Sequence, residues 1–121
     1  MIRTSLTLAA GLLAATAADA HETAGRHGGR VADAGDFHVE LVTRGETVDV
    51  YVSDGTQAPV PVAGFRGTAI LVAGGKPARV PLEPADGNRL TGKAPAALGD
   101  RPKGAVQLAA PDGATVSGKF N

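Results

Sequence analysis

The rhythm of turn signals constrains this chain more than any other feature of its sequence. From Gly35 onward, Arg44-Gly45-Glu46, Ser53-Asp54-Gly55, Gly74-Gly75, Asp86-Gly87-Asn88 and Pro111-Asp112-Gly113 recur at short intervals. Gly, Pro, Asp and Asn supply the backbone conformations that reverse a chain, so the segments between these signals are short. Those segments alternate with period two. Phe37, Val39 and Leu41 interleave with His38, Glu40 and Val42, and Val48, Val50 and Val52 interleave with Asp49, Tyr51 and Ser53. Such alternation puts the apolar set on one face of a strand. Residues 68–73 form a continuous apolar run suited to a central strand. Ala78, Val80 and Leu82 alternate next to Pro77 and Pro81, which push their strand towards a sheet edge. Leu90 marks a short strand, and Val106 with Leu108 and Val116 with Phe120 read as a closing hairpin. A 3.6-residue period is absent, and residues 95–98 offer one helical turn at most.

The expected fold is therefore all-β, a small immunoglobulin-like β-sandwich of about seven short strands, with a small barrel as the alternative. Residues 1–20 read as a cleaved export signal. Residues 21–34 read as a flexible His-bearing arm with a first short strand, and residues 35–121 as the β-sandwich domain.

The signal assignment rests on Arg3, the uncharged run 6–18 and the small-x-small pattern Ala18-Asp19-Ala20. The run is too short to span a bilayer, so the expectation is a soluble periplasmic product without membrane insertion. Cleavage after Ala20 leaves His21 first, whose amine and imidazole chelate one metal. Cleavage after Ala18 leaves Asp19-Ala20-His21, a tripeptide whose nitrogens form the square-planar set that Cu(II) prefers.

Composition excludes several classes of function. Twelve basic and twelve acidic residues balance, and no basic–aromatic stripe is present, which excludes nucleic acid as a partner. Lys76, Arg79, Lys93, Arg101 and Lys103 read as solubilising charges spread among turns. With no Cys there is no disulfide, thiolate metal site or cysteine nucleophile, and Met1 is the one Met. The chain has no nucleophile elbow, no paired acid/base carboxylates and no phosphate-cradling loop, so it is not expected to be an enzyme. Gly64-Phe65-Arg66-Gly67 and Gly74-Gly75 are turn glycines rather than anion cradles.

What chemistry there is lies near the amino terminus. All three histidines, His21, His27 and His38, fall within residues 21–38. His38 and Glu40 are two apart and share a strand face. A tight hairpin across residues 44–47 sets Glu40 opposite Tyr51 and His38 opposite Ser53, and Gly28-Gly29 lets the arm bring His27 towards His38. Imidazole and carboxylate without thiolate suit Cu(II), Zn(II), Co(II) or Ni(II). An exposed His-x-Glu on a strand is also what a solvated face looks like.

His27-Gly28-Gly29, residues 35–42 (Gly-Asp-Phe-His-Val-Glu-Leu-Val) and residues 50–54 (Val-Tyr-Val-Ser-Asp) resemble a group of small periplasmic proteins associated with heavy-metal efflux. Similar segments occur in adaptor subunits of the pumps. Val80-Pro81-Leu82-Glu83-Pro84, Leu90-Thr91-Gly92 and Gly118-Lys119-Phe120 extend the likeness over residues 27–120. The resemblance implies a role in handling copper, zinc, cobalt or cadmium, with His27, His38 and Glu40 at the matching positions. The arm holds two histidines where a richer His/Asp cluster would be expected, which favours a low-stoichiometry carrier or sensor over a high-capacity store. The expected site is one divalent ion, Cu(II) or Zn(II), on His27, His38 and Glu40, with His21 as a further ligand. The competing expectation is a non-catalytic interaction module that partners an efflux adaptor subunit.

Overall fold

The computed structural model describes residues 23–121. Residues 1–20, expected as an export signal, and His21 lie outside the described residues. Nine strands follow in order: β1 (Thr23–Ala24), β2 (Arg30–Ala34), β3 (Phe37–Arg44), β4 (Thr47–Ser53), β5 (Arg66–Ala73), β6 (Lys76–Asp86), β7 (Arg89–Lys93), β8 (Lys103–Ala109) and β9 (Thr115–Phe120). There is no helix among them. Residues 95–98, which offered one helical turn at most, are irregular.

The strands form one continuous antiparallel sheet, ordered β1-β2-β3-β4-β7-β6-β5-β8-β9, and β2 also pairs with β9. That last pairing, Ala34 with Gly118, closes strands β2 to β9 into an eight-stranded barrel. The immunoglobulin-like sandwich is thus corrected to the barrel that was its alternative. Alternation of apolar and polar residues is common to both architectures. What separates them is non-local pairing: β7 bridges β4 and β6, and β9 bridges β8 and β2.

Eight strands leave an interior just wide enough for side chains to fill. Val39, Val48, Val50, Val52, Leu71, Val80, Leu82, Leu90, Val106 and Leu108 fill it, all essentially without exposure. That explains how a chain with four aromatics builds a core. Phe37 meets Phe65 edge-to-face at 5.7 Å, and Phe120 closes the interior beneath the Arg30 guanidinium, 5.4 Å from its ring centre. The segment after β7 plugs the same end. Ala94 N–H donates to Glu46 O at 2.7 Å and Leu98 N–H to Gly45 O at 3.1 Å, while Arg30 donates to the Pro102 carbonyl.

The edge expected of β6 is also corrected. It lies inside the sheet between β5 and β7. Its ladder with β7 runs only from Glu83 to Asp86, so Pro77 and Pro81 sit before that ladder begins and cost it no donor.

Candidate functional site

The site is built on the outer wall of β2, β3 and β4. Arg44 pairs with Thr47 across the two-residue Gly45-Glu46 turn, which sets Glu40 opposite Tyr51 and His38 opposite Ser53. Val39 and Leu41 are buried in the barrel, so His38 and Glu40 face outward. On the other side, β2 places Asp33 opposite His38. β1 pairs with β2, and residues 25–29 fold back as a turn whose Gly25 N–H donates to Gly29 O at 2.9 Å. Together these elements enclose a cleft of about 630 Å³, lined by His27, Asp33, His38, Glu40, Tyr51, Gln57 and Asn88 among others.

Residues 23–29, expected as a loose arm, therefore carry a paired strand and a hydrogen-bonded turn. Their anchor is Glu40, whose side chain is 6 % exposed. Glu40 Oε2 accepts from His27 N–H at 2.8 Å and Gly29 N–H at 2.9 Å, and Oε1 accepts from His27 Nδ1 at 2.8 Å. The turn wraps the carboxylate so closely that a Cβ on Gly25 would lie 2.1 Å from the Glu40 carboxyl carbon. An apolar anchor is not needed when a buried acceptor satisfies the turn's own donors.

The same contact fixes the His27 ring. It stacks on Tyr51 with centroids 3.5 Å apart and planes 5° off parallel. An ionised carboxylate only accepts, so the proton of neutral His27 sits on Nδ1 and the lone pair on Nε2. His38 is looser: its Nδ1 lies 3.3 Å from Oδ1 of the half-exposed Asp33, an ion-pair contact rather than an aligned hydrogen bond. Both imidazoles remain partly open, 39 % and 30 % exposed.

The cleft's lip is the loop after β4. Asp54 Oδ1 accepts from Thr56 Oγ1 at 2.7 Å, Thr56 N–H and Ala58 N–H. The Thr56 hydroxyl first, then these amides, hold the Asp54 carboxyl below the ordinary 3.8. The loop forces Gln57 to a φ of 69°, a left-handed conformation that costs a residue with a Cβ about 1 kcal/mol or more. Asn88, in the turn between β6 and β7, borders the cleft on β4, donating through Nδ2 to Val52 O at 3.0 Å.

Sequence reasoning named His27, His38 and Glu40, and the structure brings all three to one cleft. It did not name Asp33 or Tyr51 as partners of the two imidazoles. Asp33 lay in a segment read as arm, and its pairing with His38 needs the β2–β3 register. Among the described residues, no three His, Asp or Glu side chains converge as a ready-made metal shell.

A second polar cluster lies further along the same wall. Asp49, buried, accepts from Thr91 Oγ1 at 2.7 Å and Arg89 Nη1 at 3.2 Å, with Arg44 at 3.7 Å. Asp86 holds Arg89 charged above the usual arginine range and is itself held below the usual carboxylate range by that hydrogen bond. Every charge here has a partner, so the cluster ties β3, β4 and β7 together.

Comparisons with protein-family models, with characterised proteins and with solved structures give no match to this chain.

Proposed function

We propose that this chain is a periplasmic divalent-metal-binding protein that carries or buffers Cu(II), Zn(II) or Co(II) for a heavy-metal efflux system. One observation carries the reading: two imidazoles line one cleft, His27 with Nδ1 hydrogen-bonded to Glu40 and His38 with Nδ1 3.3 Å from Asp33. Histidines that ligate metals almost always donate their other ring N–H to a carboxylate or carbonyl, which fixes the tautomer and raises ligand basicity. In this reading His27 and His38 supply the Nε2 ligands. Glu40 and Asp33 orient them, so Glu40 supports the metal through His27 rather than touching it. Water and the amino-terminal His21 complete the shell. A site with two fixed imidazoles and exchangeable remaining ligands suits delivery better than permanent storage. Among divalent ions, N/O ligands of this kind hold Cu(II) more tightly than Zn(II).

Calorimetric titration tests it. His27→Ala and His38→Ala are each expected to weaken Cu(II) binding at least about tenfold, and Asp33→Asn about tenfold through lost orientation. Binding weakens in acid because protons compete for the same nitrogens. Wild-type protein that binds neither Cu(II) nor Zn(II) more tightly than about millimolar would refute the reading and leave an interaction module for an efflux adaptor.

A further inference from the structure

The barrel wall opposite the cleft carries a different signal. Antiparallel register places Arg79, Ile70, Ala105 and Lys119 in one row across β6, β5, β8 and β9. Pro77, Val72 and Lys103 form the adjacent row, and Lys76 stands at the rim beside them. The flanking Ala69, Leu71, Val80 and Val106 are buried, so these rows face out. Four strands at about 4.8 Å spacing put Arg79 and Lys119 roughly 14 Å apart. Between them lies an aliphatic centre of half-buried Ile70 and Ala105 beside Val72, which is 40 % exposed.

Charge on this molecule is segregated. Lys76, Arg79, Lys103 and Lys119 enter no ion pair among the described residues, whereas Asp33, Glu40 and Asp49 are paired on the other wall. The outward positions of β5, β8 and β9 hold no carboxylate. On β6, Glu83 and Asp86 sit at the far end, and Asp86 is held by Arg89. In the sequence Lys76, Arg79 and Lys103 read as scattered solubilising charges. The fold collects them.

We propose that this wall docks the protein on a bilayer surface rich in anionic phospholipid. The cations meet the phosphates, and Val72 and Ile70 rest at the headgroup boundary. The outer wall of a barrel is convex, which fits a laterally continuous charged layer that demands no shape match. Cations around a small aliphatic centre are the pattern of surface-bound proteins. Zero formal net charge means that attraction to the layer comes from this wall's orientation. The proposal stands apart from the metal reading.

Sedimentation of the protein with vesicles tests it, comparing phosphatidylcholine alone with an equal mixture of phosphatidylcholine and phosphatidylglycerol. Any contribution of the apolar segment 6–18 is common to both vesicles and all variants, so the ratio of the two partition coefficients is the readout. Wild type is expected to prefer the anionic vesicles, and added salt to abolish the preference. Lys103→Gln with Lys119→Gln should cut the preference about twenty-five-fold, roughly five-fold per cation. Lys93→Gln on β7 should leave it unchanged. Equal partitioning by wild type, or a preference that survives the double substitution, overturns the proposal. Retention on polyglutamate without preference for anionic vesicles also overturns it and assigns the wall to an acidic protein.

Discussion

Glu40→Ala is expected to lower the unfolding free energy by about 3 kcal/mol and to release residues 23–29 from the barrel wall. The carboxylate is buried and accepts from two backbone amides and one imidazole. Hydrogen bonds to a charged group contribute about 1.5–3 kcal/mol each, and leaving their donors unpaired costs about as much. Water reaching the freed turn recovers part of that, which caps the loss near the stated figure. Urea unfolding gives the free energy. Faster amide exchange at His27 and Gly29, but not at Val50 or Leu71, locates it. Glu40→Gln separates anchoring from metal binding. Its amide oxygen accepts from the two backbone donors, while its NH₂ donates to His27 Nδ1 and moves the ring proton to Nε2. The turn should then stay in place while Cu(II) affinity falls. Equal affinity in Glu40→Gln would mean that the tautomer of His27 does not matter to the metal.

Gly104→Ala should destabilise the barrel by about 3 kcal/mol, a loss of roughly 12–20 °C in Tm for a domain of this size. Gly104 lies between two neighbours in the sheet, opposite Leu71 of β5 and Phe120 of β9. Its φ is 150°, and a Cβ there would lie 1.9 Å from the Ile70 carbonyl oxygen, which is backbone and cannot swing aside. The strand must shift or its pairing break. Gly99→Ala is the control: its φ is also positive, at 78°, but nothing lies within 4 Å of the added carbon. That variant should lose only the conformational cost, about 1 kcal/mol. Thermal unfolding of the two variants separates collision from backbone strain.

Local features were legible because local chemistry decides them. The Gly45-Glu46 turn fixed the β3–β4 register, so Glu40 opposite Tyr51 and His38 opposite Ser53 followed from counting. Val48, Val50 and Val52 faced inward as their alternation said. Closure into a barrel was not legible. Leu90 marks a strand, but nothing in its neighbourhood says that β7 sits between β4 and β6. The turn at residues 25–29 was read as loose because it has no large apolar side chain. Its anchor is polar and lies eleven or more positions away, in Glu40. The pairing of Asp33 with His38 was missed because residues 30–34 were read together with the arm, so the register was not counted across the Gly35-Asp36 turn.

Nitrogen-15 resonances of the imidazoles, followed during Zn(II) titration of the protein, test the central claim most directly. Without metal, His27 and His38 should both show the tautomer protonated at Nδ1. With Zn(II), Nε2 of both rings should shift together and saturate at one equivalent. Histidines that show the Nε2–H tautomer before metal is added, or whose Nε2 signals do not move when it is, would contradict the two-imidazole site.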